Sequence, residues 1–387
     1  MSLQINNKFG YISRTVEKEI KKQLFLGKII LIFGARQTGK TTLVKKLLAD
    51  FSDQESKFLN CEEGDIQEQL NRAQTSTELR SLIGQAKIVV FDEAQKIAQI
   101  GRKLKLIHDR WPQIQLIATG SSSFELGQKT AEALTGRNFK FWLHPFSIKE
   151  LTQVFSPLEL KRRLESFLIF GLYPEIVLTE DRRQKEILVN HLSQDYLFKD
   201  ILARFGLRGE ETARRLLQAL ALQIGQEVSY TELANLIGTT KETVARYLQI
   251  LEQSFLIFRL KALSRNPRKE IARRQKIFFY DLGIRNALIQ SFNPLNLRTD
   301  VGGLWENFLV AERKKEEIFA GQPKQLFFWR TYSQAEVDLV EIKNGQLTGF
   351  EFKWQKAKKR PPKAWQDLYP NASWTCITQA NWLEFIS

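Results

Sequence analysis

The chain has almost no cysteine. Its 387 residues include two, Cys61 and Cys376, far apart in sequence, and three histidines that form no cluster near them. That scarcity excludes a disulfide framework and a Cys/His zinc site. Long hydrophobic runs are missing too. The longest, Ile29–Phe33 and Ile88–Phe91, fall far short of the roughly 20 apolar residues that a spanning helix needs. The first residues lack the basic-then-apolar pattern of a secretory signal. There is no low-complexity tract and no internal repeat. These absences lead to an expectation of a cytoplasmic protein with no membrane partner.

What is present is size, apolar mass and positive charge. At 43% apolar residues the chain can build real cores, and its length predicts more than one domain. The formal net charge is +15. Such a surplus attracts polyanions, nucleic acid among them, although a merely soluble basic protein has it as well. The charge is concentrated between Arg259 and Arg285, where Lys261, Arg265, Arg268, Lys269, Arg273, Arg274 and Lys276 meet only Glu270 and Asp281. A second basic run is Lys356–Arg360.

From residue 29 to about 119, short apolar runs alternate with amphipathic stretches, which predicts buried parallel strands at Lys28–Phe33, Lys57–Asn60, Ile88–Phe91 and Ile114–Ala118. The first strand runs into Gly34-Ala35-Arg36-Gln37-Thr38-Gly39-Lys40-Thr41, followed by Thr42, a match to G-x-x-x-x-G-K-[ST] between a strand and a helix. Glycines there let backbone N–H groups wrap phosphates, and the helix N-terminus adds partial positive charge. Lys40 is expected to reach the β- and γ-phosphates, and Thr41 to ligate magnesium. The third strand ends in Asp92-Glu93. Ligands of open α/β sheets bind at that carboxyl edge, so Asp92 is assigned to the magnesium shell and Glu93 to general-base activation of water. ATP and Mg are therefore the expected cofactors. Thr119 and Ser121, in Thr119-Gly-Ser-Ser-Ser123, would either sense the γ-phosphate or cap a helix.

Arg14, the G-A-R-Q-T-G-K-T-T-L run, F-D-E-A-Q, A-T-G-S-S-S, L-T-G-R and H-P-F-S-I-K-E-L together resemble a prokaryotic AAA+ ATPase family with a poorly characterised C-terminal domain. The resemblance covers nearly the whole chain and implies an extra strand between the two phosphate-site strands. It adds Arg14 to the nucleotide-binding residues. It also suggests Arg137 as an arginine reaching a neighbouring subunit's γ-phosphate, which would require a homo-oligomer. A local ion pair is the other reading of Arg137.

Further along, Leu158–Gln223 has helical periodicity broken at Gly171–Pro174. Val228–Gly238 and Thr239–Leu251 read as helix, glycine turn, helix, with Val244, Leu248 and Leu251 inward. This resembles a winged helix. Thr240, Lys241, Thr243 and Arg246 would then face a groove of DNA or RNA, unless the module serves protein contacts.

Asn344-Gly345 between two β-rich runs predicts a two-residue hairpin. Pairing Lys343 with Gln346 sets Asp338 opposite Glu351 and Glu336 opposite Lys353 on one face. Like charges so placed repel, so Lys353 or a divalent ion should compensate. With Glu306 in the preceding helix, the pattern resembles the PD-(D/E)XK nuclease fold. That resemblance implies Asp338, Glu351 and Glu306 as metal ligands and Lys353 as a catalytic group. Val337 replaces the usual proline before Asp338, and a retained but inactive fold remains open.

The expected fold class is thus α/β: a P-loop AAA+ ATPase core at 1–155, a helical lid at 156–225, a winged helix at 226–262, a basic linker at 263–301 and a nuclease-like domain at 302–387. The expected function is ATP hydrolysis coupled to the later modules on nucleic acid. The alternatives are an ATP-dependent switch or regulator, defence- or antitoxin-like, working through protein contacts, and a non-hydrolysing ATP-stabilised module.

Overall fold

The computed structural model describes residues 10–121, 134–194, 207–264, 275–317, 324–356 and 358–386. The chain divides into two compact units. One is Ser13–His144 with Gln253–Phe255; the other is Pro145–Glu252 and Leu256–Ser387 with the short segment before Ser13.

The first unit runs α1 (Thr15–Gln23), β1 (Ile29–Phe33), α2 (Lys40–Leu48), β2 (Ser56–Asn60), α3 (Gly64–Arg72), α4 (Ser76–Ile83), β3 (Ile88–Asp92), α5 (Ile100–Arg110), β4 (Gln115–Gly120) and β5 (Asn138–Trp142). The strands form one sheet in the order β2-β3-β4-β1-β5, every pairing parallel. All residues of β1, β3 and β4 are buried. This is why these strands are continuous apolar runs: helices cover both faces, leaving no solvent side for alternation. The strand expected between β1 and β3 is β4. Strand β5 escapes sequence reading because Asn138-Phe-Lys-Phe-Trp142 is half-exposed and its polar residues fit a loop equally well.

The second unit begins with α6 (Ile148–Leu151), α7 (Pro157–Phe170), α8 (Pro174–Leu178), α9 (Arg182–Ser193) and α10 (Leu207–Leu222). Ser147/Glu150 and Ser156/Glu159 form capping boxes on α6 and α7, each satisfying orphan N–H groups of the first turn. Then come β6 (Glu227–Val228), α11 (Tyr230–Ile237), α12 (Lys241–Gln253), β7 (Ile257–Ala262), β8 (Gln275–Phe279), α13 (Leu282–Leu288) and α14 (Val301–Glu317). The chain closes with β9 (Gln325–Arg330), β10 (Glu336–Lys343), β11 (Gln346–Phe352), α15 (Lys363–Leu368), β12 (Ser373–Ile377) and α16 (Trp382–Ile386).

Seven strands of this unit make one sheet, β12-β11-β10-β9-β7-β8-β6. That corrects the expected partition. The helix–turn–helix segment and the C-terminal hairpin are not separate domains, because β7 pairs in parallel with β9 at Lys261–Phe327 and Ala262–Phe328. Segment 263–301 is not a linker either. It contributes β8 and α13, and Arg285 in α13 is 1% exposed. The helices of 156–225, expected as a lid, group with this unit and not with the first. One reason is Asn286 of α13, whose buried amide donates to Leu168 O at 3.0 Å and Ile169 O at 2.8 Å at the end of α7. Asn307 of α14 likewise accepts from Phe279 N and donates to Phe279 O, both at 2.8 Å, so a side chain completes the backbone pairing of β8.

The expected β10–β11 register is observed from Lys343–Gln346 to Leu339–Phe350. Asn344 and Gly345 have φ of 51° and 78°, the left-handed pair that a tight hairpin turn requires. Gly238, at φ 70°, ends α11, and the Thr240 hydroxyl accepts from Thr243 N to start α12.

Candidate nucleotide site

The phosphate loop leaves the carboxyl end of β1 and turns into α2. Gly34 has no room for a side chain, since a Cβ there would lie 2.2 Å from Leu143 O. Gly39 stands at φ 94° before α2 and offers no side-chain cap, so the first N–H groups of that helix are left for a ligand. Ala35 and Thr38 are buried, and the Thr38 hydroxyl donates to Ala35 O at 2.9 Å, holding the loop closed. Gln37 is in the left-handed region at φ 58°, Arg36 lies 3.7 Å from Glu62, and Thr42 is exposed on the first turn of α2.

Arg14 meets backbone carbonyls beside the loop. Its guanidinium is buried and donates to Thr38 O at 2.7 Å and His144 O at 2.5 Å, tying the loop to the segment after β5. Its place is that of a positioning residue.

Lys40 donates to Gly34 O and Ala35 O, both at 3.0 Å, and its ammonium lies 3.5 Å from Glu93. The Thr41 hydroxyl donates to Asp92 Oδ2 at 2.7 Å, and Thr119 donates to Asp92 Oδ1 at 2.6 Å. Thr119 in turn accepts from Glu93 N at 3.0 Å. Both acids sit at the end of β3, as their place in the sequence suggests. Glu93 itself is at φ 50° and turns back toward Lys40. Burial opposes its ionisation, but Lys40, Gln95 and Arg36 outweigh that and hold the carboxyl below its ordinary range. Glu93 is therefore a carboxylate at neutral pH. The same buried acids, after burial itself, push the Cys61 thiol up to about 12, which leaves it inert.

Gln95 was missed as a site residue. It is 3% exposed and its amide donates to Glu93 Oε2 at 2.5 Å and Ser121 Oγ at 3.0 Å. Its only sequence signal is its place two residues after Glu93. Thr119 thus bonds Asp92 and the backbone of Glu93, and Ser121 bonds Gln95, while Ser122 and Ser123 lie outside the described residues. Arg137 is at the amino edge of the sheet, where its O accepts from Ile29 N, and it pairs with Asp109 at 3.0 Å. The pair is about 40% exposed on each side, so the observed role is local and weak.

The C-terminal carboxylates form a second cluster. Glu306 and Glu336 flank the Lys276 ammonium at 2.7 and 2.5 Å. Asp338 Oδ2 accepts from Phe352 N at 2.7 Å, and Glu351 is paired with Lys353 at 2.8 Å and with Lys358. Burial pushes the Glu306 and Asp338 carboxyls up, with Glu351 adding to the second, while Lys276 opposes both shifts. The set does not fit the expected metal. Among the described residues no three His, Cys, Asp or Glu side chains are grouped to hold an ion. Lys276 was not anticipated as their partner, although a single lysine in the apolar run Gln275–Phe279 is a legible sign of a buried counter-charge.

Of the basic stretch, Lys276 and Arg285 are buried and Arg259 is half-buried. Arg259 pairs with Glu252, Lys276 with Glu306, and Arg285 with Asp300, while Lys261 is exposed. Arg265, Arg268, Lys269, Arg273 and Arg274 lie outside the described residues. On α12, Lys241 and Arg246 are exposed, Thr243 is half-buried, and Thr240 is exposed with its hydroxyl in the cap.

Comparison with known proteins agrees with the nucleotide site. Residues 26–152 match the AAA domain family, and 161–295 and 301–378 match two domains of unknown function, DUF8612 and DUF4143. An uncharacterized protein of Mycobacterium tuberculosis is 28% identical over 346 residues, covering 88% of this chain and 73% of its own length. One from Methanocaldococcus jannaschii is 25% identical over 269 residues, 65% of this chain and 60% of its own. A Walker-type ATPase of Pyrococcus abyssi superposes with a TM-score of 0.51 at 15% identity, covering 73% of this chain and 97% of its own, a likeness of fold. Together the AAA match and the Walker-type neighbour support a P-loop ATPase. Among the described residues no helix is long and apolar enough to cross a membrane.

Proposed function

We propose that this protein is a magnesium-dependent AAA+ ATPase whose nucleotide state acts through a winged-helix module on nucleic acid. The observation that carries the ATPase reading is the hydrogen-bonded set Thr41–Asp92–Thr119, with Lys40 and Glu93 beside it. In this reading the loop N–H groups and Lys40 bind the β- and γ-phosphates. Thr41 and Asp92 hold magnesium, which when bound neutralises developing phosphate charge. Glu93 takes the proton of the attacking water, and Gln95 and Lys40 fix its orientation. Wild-type protein is expected to release phosphate from ATP only with magnesium, and Thr41→Ala to lose about 10–10²-fold in turnover at fixed magnesium. A wild type that binds ATP and releases no phosphate would leave the non-hydrolysing module standing.

The winged-helix reading is supported by the run α10, β6, α11, α12, β7, β8 and by the strand order β7-β8-β6, with β8 antiparallel to both neighbours. Lys241 and Arg246 are the exposed cations of α12 available to a phosphate backbone. Duplex DNA binding, followed by fluorescence anisotropy, is expected to weaken steeply with salt. Lys241→Glu with Arg246→Glu should flatten the slope by about one unit per lost phosphate contact. Binding that ignores salt would remove nucleic acid as a partner.

For the C-terminal part, the helix bearing Glu306 beside the Asp338 and Glu351-x-Lys353 hairpin supports a PD-(D/E)XK-like fold. The ammonium of Lys276 among its carboxylates favours one that does not cleave. The second function reading, an ATP-dependent regulator with an inactive nuclease-like domain, draws its support from that lysine.

A further inference from the structure

The geometry points to Lys276 as the resident cation of the C-terminal carboxylate pocket, a protein ammonium taking the place of a divalent ion and locking β8 to α14 and β10. The inference concerns the second unit only, so it stands or falls independently of the ATPase reading.

Glu306 of α14 and Glu336 of β10 both reach the Lys276 ammonium, and Asp338 of β10 and Glu351 of β11 follow as electrostatic neighbours, Asp338 of Lys276 and Glu351 of Asp338. Glu306, Asp338 and Glu351 are all largely removed from water. So many buried acids demand either an ion or protein cations, because isolated buried charge is strongly unfavourable. The side chain of Lys276 is 3% exposed, and its ammonium reaches Glu306 at 2.7 Å and Glu336 at 2.5 Å. It lies between the two acids from the helix and the hairpin, and Asp338 acts on it as well. The remaining acid, Glu351, has its own cations in Lys353 and Lys358. Arg330 of β9 closes the outer side, 3.7 Å from Glu336 and 2.8 Å from Glu227 of β6. Charge is thus matched by side chains at every carboxylate but Asp338, which accepts a backbone N–H instead.

The sheet explains why the lysine is in reach. β8 lies two strands from β9, on the far side of β7, and β9 lies beside β10. Lys276 therefore spans from the helix–turn–helix part of the sheet to the hairpin. Rooted in β8, the lysine joins it to β10 by an ion pair with Glu336, a tie that no change in metal concentration releases. Asp338 and Glu351 then act as structural acids, and the two regions move as one body.

The test uses full-length protein without nucleotide. Wild type is expected to bind no Mn2+ through Asp338 and Glu351, by electron paramagnetic resonance, and to unfold at the same temperature with Mn2+ or EDTA. Lys276→Met should lower the unfolding midpoint by roughly 5–15 °C, since the acids remain buried without their cation. Adding Glu306→Gln to Lys276→Met should recover part of that loss, the non-additivity expected of a direct pair. Two results overturn the inference. One is wild-type Mn2+ binding that disappears in Asp338→Asn or Glu351→Gln. The other is strict additivity in the double variant. Should Lys276→Met not fold, the wild-type Mn2+ measurement decides by itself.

Discussion

Replacing Glu93 by glutamine lowers ATP turnover by about 10²–10⁴-fold and leaves ATP binding intact. The size follows from the role of a positioned general base. The binding half follows from geometry: Glu93 touches Lys40 and Gln95, while phosphate binding rests on the loop between Gly34 and Thr41. Glutamine keeps the shape and one acceptor oxygen, so Gln95 retains a partner. It loses the carboxylate that Lys40 keeps ionised and that would take the proton of water. Phosphate release under saturating ATP and nucleotide affinity by titration check the two halves. Unchanged turnover would move the base elsewhere, and lost affinity would mean that Glu93 shapes the loop rather than activates water.

Arg285→Met destabilises the second unit by about 3–5 kcal/mol. Arg285 is 1% exposed and donates to Ala221 O at 2.7 Å, Asn286 Oδ1 at 2.9 Å and Asp300 Oδ2 at 2.5 Å. Methionine fills similar volume but leaves a helix-terminal carbonyl and part of a carboxylate unpaired. Arg298 still contacts Asp300 at 2.8 and 2.9 Å, which keeps the loss within that range. The same network sets a pH signature. Burial would raise the Asp300 carboxyl, but Arg298 and Arg285 outweigh it and bring it to about 2. A folded value below the unfolded one, about 3.9, means stability present above pH 4 and lost as pH falls toward 2. The stability gap between wild type and Asp300→Asn should therefore shrink over that window. Chemical denaturation at several pH values measures it, and a gap that stays constant would place Asp300 outside the network.

The first unit was the more legible. A phosphate loop needs glycines, a lysine and a hydroxyl at fixed spacing, and β1, β3 and β4 are buried throughout, so their sequences are almost wholly apolar. The hairpin turn at Asn344-Gly345 was legible for a similar reason, because two successive left-handed residues admit few side chains. Arg14 and Gln95 were less so. Arg14 carries part of the motif, but its actual partners are the carbonyls of Thr38 and His144, and backbone atoms leave no sequence trace.

Charge was the poorest guide. The basic cluster around residues 259–285 suggests attraction to a polyanion, yet of its described members Lys276 and Arg285 are interior. Their partners Glu306 and Asp300 lie 30 and 15 residues away, and sequence cannot pair groups that distant. The domain limits failed for the same reason: β7 and β9 join through backbone hydrogen bonds, which carry no residue preference that marks the partner strand.

The sequence by itself determined the phosphate loop, the acidic end of β3, the parallel order implied by buried strands and the turn of the C-terminal hairpin. Each is a local constraint, written within a few residues by sterics or by periodic burial. Only the tertiary structure decided that the helix–turn–helix and the hairpin share a sheet, and that Lys276 stands between Glu306 and Glu336. Those depend on which distant groups meet, and long-range pairing is decided by burial and charge balance in three dimensions.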